Sequence, residues 1–264
     1  MAGRGGGRGG GRGRAGDGAG GRVCGDGESD PDGCAACQGP QLGYRNGTMY
    51  SSYTAASFAR KYELADRHGV NLEGALTWAF TFENQPYFAG FRQLATNGID
   101  LPVLNVFRMF GRMGGDRVAV RSSGGAALDD VLKDGVRGAA PDVHALAALE
   151  PKRVAVMVWH YHDDDMAGPD AAVELSVVGL PAAAGAGATA REYRIDREHG
   201  NAHAVWLAMG SPPKPTAAQY AALERAGQLA TLVEPAALRV ERGSASVRLV
   251  LPRQAVSLVV VEWK

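Results

Sequence analysis

The sequence predicts an α/β segment followed by an all-β one, and three observations carry that reading. Between residues 23 and 114, helix-period and strand-period stretches alternate. After residue 115 the chain breaks into short β-rich runs separated by turn residues. The first 22 residues show neither pattern, being built from 12 glycines and 5 arginines.

The glycine- and arginine-rich tail, residues 1–26, cannot bury enough apolar surface to offset its ordering entropy and is expected to be disordered. In residues 27–114, Ser51 or Ser52 can cap a helix with an apolar stripe of Ala55, Phe58, Ala59, Tyr62 and Ala65. His68-Gly69 ends it, a basic last turn followed by a glycine that can take φ > 0. A strand over 72–82 follows, with Gly74, Leu76, Trp78 and Phe80 on one face. A second helix over 102–113 carries Val103, Val106, Phe107 and Phe110 on its apolar side. Alternating helix and strand is the repeating unit of an α/β barrel or an open parallel sheet.

Residues 115–264 carry predicted strands at 117–121, 153–161, 171–178, 191–195, 204–208, 238–242, 246–251 and 256–263. Such spacing suggests an antiparallel β-sandwich, interrupted by one helix near 216–226. Residues 183–190 read as a small-residue loop.

Composition narrows the function classes. Lysine plus arginine and aspartate plus glutamate both number 28, which argues against a basic nucleic-acid binder or a polybasic membrane-surface protein. No apolar run of about 18 residues predicts a membrane span. No secretory h-region opens the chain, and three cysteines do not make a disulfide framework, so a cytoplasmic setting is expected. No folded RNA-binding motif follows the Arg-Gly tail, and nucleic acid is not an expected partner. The spacing Gly11-Arg-Gly-Arg-Ala-Gly16 matches a dinucleotide fingerprint, but no strand precedes it. No cofactor is expected.

Few residues carry candidate chemistry. Glu28 sits in a turn-rich run and, read alone, is a solvated turn glutamate. Trp78, on the predicted strand, is by spacing alone equally a core residue or a flat platform for a sugar ring. Glu83 follows the same strand and is either a surface carboxylate or a partner for hydroxyls. Cys34-Ala-Ala-Cys37 lacks the second pair a four-cysteine zinc site needs. His160 and His162 share a strand face beside three aspartates, a pattern that mimics a metal site; a polar strand end is preferred and no metal is expected.

Several stretches together resemble the C-terminal part of glycoside hydrolase family 39, best known for β-xylosidases. They are Gly27-Glu28-Ser29-Asp30-Pro31, residues 41–60, 71–91 and 101–109, Val158-Trp159-His160-Tyr161-His162-Asp163-Asp164-Asp165, Met209-Gly210-Ser211-Pro212 and Leu251-Pro252-Arg253-Gln254. The resemblance implies a TIM (β/α)8 barrel followed by an antiparallel β-sandwich, and a retaining mechanism in which one carboxylate attacks the anomeric carbon while another protonates the leaving oxygen. Glu28 matches the family nucleophile, at the C-terminal end of the seventh barrel strand, where such enzymes keep catalytic groups. Trp78 and Glu83 then become substrate-binding candidates, and xylose-containing oligosaccharides the expected partners.

The departures from the family are as informative. A barrel takes about 250 residues, whereas residues 27–114 supply only the last two βα units and residues 115–264 the sandwich. Nothing matches the acid/base glutamate of the fourth strand. The strand before Glu28 reads Gly-Gly-Arg-Val-Cys-Gly-Asp-Gly, and family likeness begins abruptly at Gly27, as a shifted frame or misplaced start would produce. The expectation is a truncated β-xylosidase-type chain, inactive by itself and open to self-association. Its alternative is a non-catalytic β-sandwich interaction or carbohydrate-binding module.

Overall fold

A computed structural model of the chain describes residues 40–75, 85–138 and 140–264. A short 3-10 turn, Pro40–Asn46, leads into α1 (Thr48–His68). Helix α1 begins earlier than its serines suggest: Gly47 is the N-cap and contributes no side-chain cap, while Ser51 and Ser52 lie buried inside the helix. Its end is as expected. Gly69 takes φ 62°, and the Val70 N–H reaches back to Ala65 O at 2.8 Å, a Schellman closure.

The described part of the predicted strand at 72–82, residues 72–75, has no regular structure, and the rest lies outside the described residues. The next elements are β1 (Ala95–Thr96) and β2 (Ile99–Asp100), a minimal hairpin. Asn97 and Gly98 form its turn with φ of 47° and 84°, as a two-residue turn matched to strand twist demands. Helix α2 (Pro102–Phe110) starts on a proline that needs no N–H partner there. Then come β3 (Asp116–Val118), α3 (Leu128–Asp134), β4 (Asp142–Glu150), β5 (Arg153–Tyr161), β6 (Ala171–Val178) and β7 (Ala188–Ile195). The chain closes with α4 (Ala202–Ala208), α5 (Ala217–Gly227), β8 (Ala230–Leu238), β9 (Ser244–Leu251) and β10 (Val256–Trp263).

The architecture is mixed helix and sheet, and every strand pair among the described residues is antiparallel. Six strands form one sheet in the order β3-β4-β5-β10-β7-β8, and β6 with β9 forms a two-stranded ribbon. The central strands β5 and β10 are apolar on both faces because both faces are covered. Met157, Trp159, Val256 and Leu258 point toward α1 and α2, where Ala55, Ala59, Val106 and Met109 meet them. Val156, Val158, Val259 and Val261 point the other way, onto the ribbon. Each such fully buried side chain contributes about 1.5–3 kcal/mol. Helices α1 and α2 and the sheet therefore share one core. A buried ion pair reinforces it: Arg60 Nη2 of α1 lies 2.9 Å from Asp142 Oδ1, and the Trp159 indole N–H donates to Asp142 Oδ2 at 2.9 Å.

Three sequence expectations are corrected. Residues 204–208, expected as a strand, are helical: the Asn201 side chain accepts from Ala204 N and caps α4, and Ala202 is packed inside a cluster with Leu223 and Phe88. Strand β4 was not expected, because Ala-Leu-Ala-Ala reads as helix, yet it pairs with β5 from Asp142↔Tyr161 to Glu150↔Arg153. Residues 183–190 are not one loop: a 3-10 turn spans Ala182–Ala186 and β7 begins at Ala188. The helix near 216–226 forms with a full capping box between Thr216 and Gln219.

Candidate active-site frame

The residues that the sequence singles out for sugar chemistry, Glu28, Trp78 and Glu83, lie outside the described residues, as do Cys34 and Cys37. The structure describes what flanks them. Pro40–Asn46 follows the Glu28 run, and residues 85–91 follow Trp78 and Glu83.

Asn46 clasps these two flanks together. Its Nδ2 donates to Phe88 O at 2.7 Å and its Oδ1 accepts from Gly90 N at 3.2 Å. Both bonds are buried, so they are not exchanged for water at little cost. The second flank is fixed again by the β1–β2 hairpin: Asn97 Nδ2 donates to Gln85 O at 2.8 Å, and Phe88 N to Thr96 Oγ1 at 3.1 Å. Phe88 itself sits at φ 53°, a conformation that needs such bracing.

Behind the clasp lies an aromatic cluster. Phe88 stands 5.2 Å from the His203 ring and 5.0 Å from Trp206, whose indole N–H donates to Pro212 O at 3.0 Å. Burial among these rings lowers the His203 pKa to about 4, so the imidazole is neutral at pH 7.

From the first turns of α1 to the end of β5, four tyrosines form a ladder: Tyr50 lies 6.4 Å from both Tyr44 and Tyr53, and Tyr53 lies 5.9 Å from Tyr161. They border a shallow cavity of about 630 Å³, together with Lys61 and Arg92. The Tyr161 hydroxyl donates to Asp163 Oδ1 at 2.7 Å; burial first, then that bond, raises its pKa above the usual phenol value.

The two histidines that mimic a metal site spend ring nitrogens on the backbone. His160 Nδ1 bonds Leu251 O at 2.9 Å. His162 Nε2 bonds Gly138 O at 2.9 Å, and its Nδ1 accepts from Asp164 N at 3.0 Å. Among the described residues, no group of three or more His, Cys, Asp or Glu side chains could hold a metal ion. None of their helices is long and apolar enough to cross a membrane. Asn46 and His203 escaped sequence reasoning because each meets a residue far along the chain, and Thr96 because its bond to Phe88 N crosses an irregular loop; only the turn dipeptide Asn97-Gly98 could have announced its part.

No curated protein sequence matches the chain. Among solved structures, the chain is similar to a GH39 enzyme from Xanthomonas axonopodis pv. citri, at 18% identity and TM-score 0.64, over 87% of this chain and 43% of that one. It is similar to a monomeric beta-xylosidase from Caulobacter crescentus CB15, at 18% identity and TM-score 0.61, over 85% of this chain and 43% of that one. A bacterial orthologue of human α-L-iduronidase aligns at 21% identity and TM-score 0.63, over 84% and 39%. The chain thus spans about two fifths of the length of these structures. Residues 43–237 match the sequence pattern of Glycosyl hydrolases family 39, and the chain belongs to that family.

Proposed function

We propose that this chain is the C-terminal share of a retaining glycosidase of the β-xylosidase type. Residues 27–114 supply the last two βα units of a TIM barrel and residues 115–264 a β-sandwich. Glu28 is the nucleophile that attacks the anomeric carbon, Trp78 gives the sugar ring a flat apolar face, and Glu83 hydrogen-bonds its hydroxyls. The acid/base carboxylate comes from barrel strands outside this share. The observation that carries the reading is the family match over residues 43–237. The clasp at Asn46 supports it physically, because it joins the segments that follow the proposed nucleophile and platform in the chain.

A retaining enzyme needs its two carboxyl groups about 5 Å apart, and loss of general acid help costs about 10²- to 10⁴-fold. The isolated chain should therefore leave xylobiose uncleaved and turn over activated aryl xylosides at best in traces. Assaying the purified 264-residue protein beside the Caulobacter enzyme tests this; a rate within tenfold of that enzyme would refute the proposed division of the site. The rival reading, a non-catalytic interaction module, draws on the sheet and ribbon, which bury a core of their own. It would gain if the chain bound a partner while a reassembled barrel stayed inactive.

A further inference from the structure

The chain holds two Asn-Gly dipeptides, Asn46-Gly47 and Asn97-Gly98, and the fold treats them oppositely. Such a pair is open to ring closure by attack of the glycine nitrogen on the asparagine Cγ, because glycine has no Cβ to shield that nitrogen. At Asn46 the reacting groups are occupied. The residue is buried, its Oδ1 and Nδ2 are bound to Gly90 N and Phe88 O, and Gly47 N–H donates to Tyr44 O at 3.3 Å. At Asn97 only Nδ2 is engaged, with Gln85 O. Gly98 is exposed at the tip of the β1–β2 hairpin, and among the described residues neither its N–H nor Asn97 Oδ1 has a hydrogen-bond partner. Each strand of the hairpin is two residues long, and a turn held by so short a ladder opens at small cost. One further contact favours attack. The Tyr220 hydroxyl donates to Asn97 O at 3.1 Å, on the carbonyl joined to the Gly98 nitrogen. It stabilises negative charge there and so makes the Gly98 N–H more acidic. Burial raises the Tyr220 pKa, so the phenol keeps its proton in mildly alkaline solution.

We propose that Asn97-Gly98 is a spontaneous deamidation site, assisted by Tyr220, and that its conversion unfastens residues 85–88 from the hairpin. The Gly98 nitrogen gives up its proton and bonds to Asn97 Cγ, the Cγ–Nδ2 bond breaks, and Nδ2 leaves with that proton as ammonia. Water then opens the five-membered imide at one of its two N–C bonds. Opening at Cγ leaves an aspartate; opening at the main-chain carbonyl leaves an isoaspartate, whose backbone runs through Cβ and Cγ. Both products undo the joint. The aspartate sets a carboxylate oxygen against Gln85 O, where the Asn97 amide had donated at 2.8 Å, so two acceptors meet with no proton between them. The isoaspartate adds a backbone atom to a two-residue turn, whose length fixes the register Ala95↔Asp100 and Thr96↔Ile99. Thr96 Oγ1 accepts from Phe88 N, and Phe88 at φ 53° needs that bracing. Its loss frees Phe88 to withdraw from the His203 and Trp206 rings.

The test holds the full 264-residue protein at pH 8.5 and 37 °C, folded or unfolded in guanidinium chloride, and follows both sites by tryptic mapping. Peptides 46–60 and 93–108 carry one site each, and fragment ions separate Asn97 from Asn105. The unfolded chain should convert the two sites at similar rates. The folded protein should convert Asn97 at least tenfold faster than Asn46, with isoaspartate among the products. That comparison needs no substitution, so it survives any variant that fails to fold. Tyr220→Phe should slow conversion at Asn97 at least threefold in the folded protein and leave the unfolded rate unchanged. Chymotrypsin cleavage after Tyr87 or Phe88 should rise in step with conversion of the wild type, and Asn97→Asp should show it from the start. Equal folded rates at Asn97 and Asn46, no conversion at Asn97 in the folded protein, a Tyr220→Phe rate at or above wild type, or cleavage that ignores conversion would each overturn the proposal.

Discussion

Ser52 Oγ donates a 2.7 Å hydrogen bond to Gln254 Oε1, a partner 202 residues along the chain. Gln254 is buried at φ 65° in the turn between β9 and β10, and its Nε2 donates to His162 O at 2.8 Å and Asp164 O at 3.1 Å. One amide thus joins the first turns of α1, the loop after β5 and the β9–β10 turn. The helix that follows the proposed nucleophile segment is held to the sheet at this point.

Replacing that amide tests the joint. Gln254→Leu takes the amide partner from the His162 and Asp164 carbonyls and the His162 N–H and leaves Ser52 Oγ only its local bond to Met49 O, and each orphaned buried group costs about 1–3 kcal/mol. Gln254→Gly loses the same bonds but relaxes the left-handed backbone. Urea unfolding should rank wild type above glycine above leucine. Equal stability of all three would mean that the network is not used.

The Arg60–Asp142 pair predicts an intermediate effect. Asp142→Ala removes one of the two carboxylates on the Arg60 guanidinium and the acceptor of the Trp159 indole. Glu63 still pairs with Arg60, so the cost should fall below the roughly 3–5 kcal/mol of a fully orphaned buried charge but above the roughly 1 kcal/mol of an ordinary hydrogen bond. Trp159 emission should shift with it. A loss below 1 kcal/mol would show that Glu63 and the Ala126 carbonyl suffice for Arg60.

The β1–β2 turn offers a separable test. A Cβ at Gly98 would stand 2.7 Å from the Tyr220 hydroxyl, on a backbone at φ 84°. Gly98→Ala should therefore cost more in wild type than in a Tyr220→Phe background, where only the left-handed cost of about 1–2 kcal/mol remains. Identical costs in the two backgrounds would remove Tyr220 from the account.

His203 sets an acid limit on stability. Its pKa is about 4 folded against 6.5 for the free side chain, so between those values the unfolded chain binds the extra proton. Stability from this group is complete above pH 6.5 and falls as pH drops toward 4, by up to about 3 kcal/mol. The difference between wild type and His203→Gln in urea midpoints should shrink over that window. A pH-independent difference would mean that His203 stays solvated.

How much of this was legible in the sequence follows from what covers each element. The strands Arg153–Tyr161 and Val256–Trp263 were read at their observed bounds, since continuous apolar runs rich in β-branched residues survive only where both faces are buried. Strand β4 was passed over because its alanines and leucines favour helix, and α4 was read as strand because Val205 and Trp206 favour one; β5 pairing decides the first and the Asn201 cap the second. The site frame was harder still. Asn46 and Gln254 act on residues 44 and 202 positions away, and no periodicity encodes that. Glu28, Trp78 and Glu83 were singled out through family likeness alone, and they lie outside the described residues.

The most direct test is to label the native protein in extracts of its own cells with 2,4-dinitrophenyl 2-deoxy-2-fluoro-β-xyloside. An antibody against residues 142–263 then captures the product for peptide mapping by mass spectrometry. The expected result is a species near twice 27.6 kDa carrying one fluoroxylosyl group on Glu28. A captured species of 27.6 kDa, or an adduct on any other carboxylate, would contradict the account.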